Sequence, residues 1–322
     1  EDLVEEVLRV MGMASLPSLA LPSVAPSRGG AVYTPAVSYL CHQGYDETLS
    51  FSFTSRAWLE VLGDSTDVVG LQNPISDALD VLRPSLIPNM LKTADYNARH
   101  NTGLTRLFEM GPIYPSRRQE NSLAFLCWAS PQKTWHGHDN GADPFDIKGM
   151  AANLLTLLGY DTESLTGLSS GLPAFYHPGQ SWGWGLGPKQ PVAYFGTIHQ
   201  FILDHLGGIR HLAMAEIFLD RLPARKTKKE RYQPQPYPPV YRDLAFFLPQ
   251  NVPYGTLKKS LMKAGRPLVQ NVDVFDVYQG AHVPEGQKSI ALRVTLQDAE
   301  KTLSETTIDD VVANITKALS QD

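Results

Sequence analysis

The clearest change of hydrophobic period lies between Leu71 and Tyr114. A turn signal at Asn73-Pro74 and the prolines Pro84 and Pro88 surround the series Leu86, Ile87, Met90, Leu91, Ala94, whose three-to-four spacing predicts a helix running to about Arg99. After Gly103, Leu107 to Tyr114 is apolar and bounded by Gly and Pro, which predicts a buried strand. Upstream, Leu3, Val7, Leu8 and Val10-Met11 form one helical stripe over residues 1–12, stopped by Gly12. Thr34 to Gly44 reads as a helix, Glu47 to Phe53 as an alternating strand, and Ser55 to Leu62 as a short helix ending at Gly63. Downstream, Ser122–Ser130, Tyr176–Ser181, Val192–His199 and Leu212–Leu222 read as strands around a helix from Ala142 to Gly159.

Two stretches lack any period. Ala14 to Ser27 mixes Ser and Pro with small apolar residues and predicts an extended connector, and residues 223–239 join a basic run to a Pro-rich one. Beyond them, Val240–Leu248, Pro253–Ala264, Val269–Gly280, Lys288–Leu296 and Thr306–Leu319 read β, α, β, β, α, a split β-α-β plan without its last strand. The chain thus divides into a helix and linker (1–30), a core (31–223), a basic Pro-rich linker (224–239) and a C-terminal domain (240–322). The fold class is α+β.

At 322 residues the chain is long enough for two domains with separate cores. The net charge of −5 is uneven: residues 224–322 hold 14 Lys/Arg against 11 Asp/Glu, whereas residues 1–223 hold 14 against 22. The C-terminal third is therefore the better partner for a polyanion, although an ordinary solvated surface carries the same imbalance. Two cysteines, Cys41 and Cys127, make neither a disulfide framework nor a four-thiolate metal site, and fit a reducing compartment. No run approaches 18 apolar residues, and Glu1-Asp2 is not a secretory leader, so the expected location is cytoplasmic, without membrane attachment. The missing initiator Met reads as a fragment of a longer protein.

Asp2, Glu5 and Glu6 fall on one helix face, as either a solvated acidic face or part of a hard-cation site of the Mg²⁺ kind. His136-x-His138 beside Asp139 and Asp143 has chelating spacing, yet a Gly-rich loop more often leaves it solvated. His177 and His199 lack a Ser or Cys nucleophile and read as hydrogen-bonded structural residues. Gly183-Trp-Gly185-Leu-Gly187 does not open a helix, as a nucleotide loop requires. Lys258, Lys259, Lys263 and Arg266 are spaced so that at least three share a helix face. With Arg225, Lys226, Lys228, Lys229 and Arg231 they are the candidate cations for a polyanion, and Phe275 and Tyr278 are candidate rings for stacking nucleic-acid bases.

The ordered series NPIS, LRPSLIPNML, N-x-x-R and LFEMG, then a helix like the family's FFDLKG and strands like its HPG and IG-x-x-H pair, resembles the beta subunit of bacterial phenylalanyl-tRNA synthetase. RDLAF, VFDVYQG, KSIALRVTLQD and KTL resemble the ferredoxin-fold anticodon-binding domain, B8, of that family. The resemblance implies the end of a B5 domain, a class II synthetase-like mixed antiparallel sheet core (B6/B7), and B8. Class II catalysis needs two arginines on the ATP phosphates; Leu107-Phe108-Glu109 and Gly187-Pro188-Lys189 lack them, so no catalytic residue is expected. The resemblance further implies an (αβ)₂ heterotetramer in which the α subunit uses ATP to charge tRNA-Phe, while this chain supplies interface and tRNA contacts, the latter through the cations named above. Asp2, Glu5 and Glu6 would then hold Mg²⁺ shared with the α subunit, incompletely here. An RNA-binding or scaffold protein reusing the same folds is the alternative.

Overall fold

The computed structural model describes residues 1–20, 33–64, 67–100, 105–128, 133–134, 137–138, 143–223 and 234–319. Two compact units, Glu1–Thr227 and Lys228–Asp322, divide the chain. Among the described residues no helix is long and apolar enough to cross a membrane.

Unit 1 begins with α1 (Asp2–Met11), and α2 (Thr34–His42) follows with Pro35 in its first turn. The strand expected over 47–53 is instead two short pieces, β1 (Asp46–Glu47) and β2 (Phe53–Thr54). Between them Thr48 donates to the Phe108 carbonyl, and Ser50 bonds the carboxylate of Glu109 through its N–H and its Oγ, so a side chain takes the place of continued strand pairing. α3 (Arg56–Val61) is capped by Ser55, whose Oγ accepts from the Trp58 N–H. After β3 (Val81–Leu82), α4 (Ile87–Arg99) buries Ile87, Met90, Leu91 and Ala94, the series that its spacing marks as inward. β4 (Arg106–Ile113) and β5 (Glu120–Trp128) pair antiparallel, followed by the two-residue strands β6 (Lys133–Thr134) and β7 (Gly137–His138). Then come α5 (Pro144–Leu157), β8 (Thr166–Leu168), β9 (Tyr176–Gly185), β10 (Pro191–Ile198), α6 (Gln200–Leu206) and β11 (Leu212–Phe218).

Seven strands form one mixed sheet in the order β1-β4-β5-β11-β10-β9-β8, parallel only between β1 and β4. Its central strand β11 is buried at every position, so both faces must be covered. One face packs with Met90, Leu91, Leu126, Ile202 and Met214, the other with Leu40, Phe108, Phe125, Leu154 and Phe195. Each of these fully buried side chains contributes about 1.5–3 kcal/mol. The helix α6, for which the sequence reading made no prediction, starts where the His199 ring accepts from the Phe201 N–H and stops at Gly207, φ 66°.

Unit 2 comprises β12 (Val240–Pro249), α7 (Tyr254–Ala264), β13 (Val269–Tyr278), β14 (Gln287–Leu296) and α8 (Glu305–Leu319). Its antiparallel sheet has the order β12-β14-β13, so a nonconsecutive strand is central, as in a ferredoxin-like domain. Leu257 and Leu261 of α7 and Ile308 and Ile315 of α8 pack on Val272, Leu292, Val294 and Leu296. Helices cover this one face. The other is open.

Candidate nucleic-acid interface

Strict alternation in β12 turns Val240, Arg242, Leu244, Phe246 and Leu248 half inward and Tyr241, Asp243, Ala245 and Phe247 outward. Register carries the outward set across the sheet: Asp243 lies opposite Arg293, which lies opposite Asp273, while Phe247 and Tyr278 flank Ser289 from either side. A bulge between Val274 and Asp276 adds Phe275 to the exposed positions. Tyr241, Phe247, Phe275 and Tyr278 are 56%, 57%, 57% and 46% exposed, far more than rings of a covered sheet. Phe275 and Tyr278 are the rings picked out by sequence. Tyr241 and Phe247 were missed, although the period of two in VYRDLAFFL carries the signal.

Arg293 organises this face. Its Nε and Nη2 donate to the two carboxylate oxygens of Asp243, both at 2.8 Å, and its guanidinium lies 5.7 Å from the Phe275 ring centre. The hydrogen bonds from Arg293, with its charge, hold the Asp243 carboxyl below the ordinary carboxylate range. Asp273 and Asp276 are exposed on β13 as well, so carboxylates outnumber cations here. A surface of rings and acceptors suits base faces and base N–H groups better than phosphates.

The candidate cations lie elsewhere. Lys259 and Lys263 are exposed on α7 and Arg266 just beyond its end, whereas Lys258 is half-buried. Because α7 packs through Leu257 and Leu261 on the covered side of the sheet, these cations and the four rings occupy opposite sides of unit 2. Arg225, Lys226, Lys228, Lys229 and Arg231 lie outside the described residues, as do His136 and Asp139.

In unit 1, α1 leaves Asp2, Glu5 and Glu6 exposed, and Glu6 is already paired with Arg9 at 2.7 Å. Among the described residues no group of three acidic, His or Cys side chains converges as metal ligands, so these acids by themselves do not fit a Mg²⁺ site. Gly183 and Gly185 serve strand packing: a Cβ on either would come within 2.8 Å of the backbone oxygens of Ala193 and Gln190, respectively. Asp143 caps α5 by accepting from the Phe145 N–H at 2.7 Å.

Two buried polar clusters escaped the sequence reading. Arg83 Nη1 meets Glu109 Oε1 at 2.5 Å, with both side chains at most 3% exposed, and Arg83 also donates to Ser50 Oγ and to the Pro112 carbonyl. On β11, the fully buried Glu216 accepts from Ser85 Oγ (2.6 Å), the Leu86 N–H (2.9 Å) and Ser122 Oγ (2.9 Å). Burial pushes its carboxyl upward, and these bonds counter the push. Glu109 and Glu216 are spent on holding the core.

Comparison with known proteins agrees with this architecture. Residues 14–219 match the family model described as the phenylalanyl tRNA synthetase beta chain CLM domain, and residues 236–322 match the ferredoxin-fold anticodon binding domain. The chain is 34% identical to the phenylalanine–tRNA ligase beta subunit of Paramagnetospirillum magneticum, across 99% of this chain and 42% of that one. The corresponding subunit of Rhodospirillum rubrum is also 34% identical, across 99% and 41%. The chain therefore spans about two fifths of the length of the curated relatives it matches. With a core model matched over more than half of its residues and the anticodon-binding model directly after it, the chain belongs to the phenylalanyl-tRNA synthetase beta chain family.

Proposed function

We propose that this chain supplies the non-catalytic core and the tRNA-binding domain of a phenylalanine–tRNA ligase, supporting an α subunit that carries out ATP-dependent charging. The observation that carries the reading is the open sheet face of unit 2, where Tyr241, Phe247, Phe275 and Tyr278 surround the Arg293–Asp243 pair. Unstacked anticodon bases would lie on these rings, with Asp243, Asp273 and Asp276 as acceptors for base N–H groups. The phosphates would fall to Lys259, Lys263 and Arg266, and to the run Arg225, Lys226, Lys228, Lys229, Arg231. Such a division requires the RNA to reach around the domain rather than dock on one side.

The contact with the α subunit is assigned to unit 1. A groove lined by Leu49, Phe51, Phe53 and Leu79 opens there, and Leu49, Phe51 and nearby Ile75 are exposed by 87%, 69% and 87%. Apolar side chains exposed together like this support a covered interface in the assembled (αβ)₂ enzyme. Mg²⁺ at Asp2, Glu5 and Glu6 would need ligands from outside α1 and release of Glu6 from Arg9. The test is co-expression with a phenylalanine-specific α subunit, a mass measurement, and titration with tRNA-Phe. A stable assembly that binds tRNA-Phe supports the reading. A chain that ignores the α subunit but binds RNA would indicate a separate RNA-binding protein.

A further inference from the structure

We propose that unit 1 holds a phosphate-binding site, independent of the RNA reading, in the cavity of about 420 Å³ lined by His177 and Gln180 of β9, Thr197 of β10, Gln200 of α6 and His211.

The hydrogen bonds already made around this cavity decide what remains for a ligand. The His177 Nδ1 accepts from the Gly179 N–H at 3.1 Å, so in the neutral ring the proton sits on Nε2 as a donor. The His199 ring, 6.2 Å from that of His177 between centres, is fixed in the same way by the Phe201 N–H at 3.2 Å. Thr197 Oγ1 donates to Gln180 Oε1 at 3.0 Å, which leaves the Gln180 amide nitrogen as a donor. His211 is exposed and adds a third imidazole. Asp143 accepts from the Phe145 N–H and Asp204 from Gln200 Nε2, and neither carboxylate lines the cavity. Gln200 keeps one carbonyl oxygen as an acceptor.

Several donors, with Ile198, Leu203 and Leu212 among the lining residues, match the oxygens of a phosphate group, and the Gln200 carbonyl suits the one hydroxyl of free hydrogenphosphate. A cation is a poor fit. Metal binding through Nε2 requires the proton on Nδ1, and at His177 and His199 that nitrogen accepts a main-chain N–H. The site therefore takes a phosphate group, either free or carried by a nucleotide.

The test follows imidazole ring resonances of the whole chain at pH 7 and constant ionic strength while inorganic phosphate or, separately, AMP is added. Saturable shifts at His177, His199 and His211 are expected, and chloride should not produce them. Gln180→Ala and His211→Ala should each weaken binding by about tenfold, the loss of one hydrogen bond to a charged group. Both residues are exposed, so the spectrum elsewhere should stay folded. Tighter binding of AMP assigns the site to a nucleotide, and equal binding assigns it to free phosphate. Shifts that rise without saturation for both ligands, or saturable binding unchanged in both variants, would overturn the proposal.

Discussion

Two arginine–carboxylate pairs show how differently the two units use the same chemistry. Arg83–Glu109 in unit 1 is at most 3% exposed and sits in the polar seam between β4 and the chain around Ser50. Arg293–Asp243 in unit 2 is bidentate and about half exposed, and it lies on a sheet face with no helix over it. In the first, desolvation makes the pair costly to break and useless to a ligand. In the second, water already solvates both partners, so the pair adds little to folding and stays available to a base. The same contrast separates the sheets: one hides both faces, the other displays four rings.

The largest expected effect breaks the buried member of this comparison. Arg83→Leu strands Glu109 in the core, which should cost about 3–5 kcal/mol and lower the unfolding midpoint of unit 1 by roughly 10 °C. Arg293→Leu should leave the midpoint within measurement scatter, as read by calorimetry on both variants. A comparable drop for the two would remove the distinction.

A second test uses pH within unit 1. Burial first, and the Glu216 charge second, raise the Asp64 carboxyl to about 6. The folded state then binds more protons than the unfolded chain between about pH 4 and 6, so stability falls as pH rises through that window. Asp64→Asn should therefore unfold later than wild type at pH 7.5, by an amount of the order of 2 kcal/mol, and equal it near pH 4. Denaturant curves at the two pH values check this.

Smaller changes are expected on the open face. Phe247→Ala, a ring exposed by 57%, should leave stability nearly unchanged yet weaken binding of a tRNA-Phe anticodon stem-loop by ~1 kcal/mol or more. Fluorescence titration measures it. The smallest effect is set for α1: millimolar Mg²⁺ should not shift the midpoint of this chain alone, because Glu6 is held by Arg9 and no third ligand converges among the described residues. Calorimetric titration giving tight Mg²⁺ binding would contradict it.

Much of this was legible in the sequence where one periodic pattern met one partner. The helix at Ile87–Arg99, the strand at Arg106–Ile113 and the β-α-β-β-α order of unit 2 follow from apolar spacing and from the Gly and Pro that bound the runs. The strand expected over 47–53 failed because Ser50 bonds Glu109, a residue 59 positions away, and no local pattern reports that. Glu216 was invisible for the same reason, since its three donors come from residues 85, 86 and 122. Lys259 and Lys263 were found as a face, but only the tertiary packing of Leu257 and Leu261 shows that this face is opposite the rings.

The most direct test of the account is the salt dependence of tRNA-Phe affinity for three forms of the chain: wild type, Lys259→Glu with Lys263→Glu, and Phe275→Ala. If roughly four phosphates are neutralised, log affinity should fall against log salt with a slope of about −3, a loss on the order of fifty-fold between 50 and 200 mM. The charge-reversed pair should bind more weakly and flatten that slope, while Phe275→Ala should lower affinity along a parallel line. Equal affinity for all three forms at low salt, with folding verified, would contradict a tRNA contact through either side of unit 2.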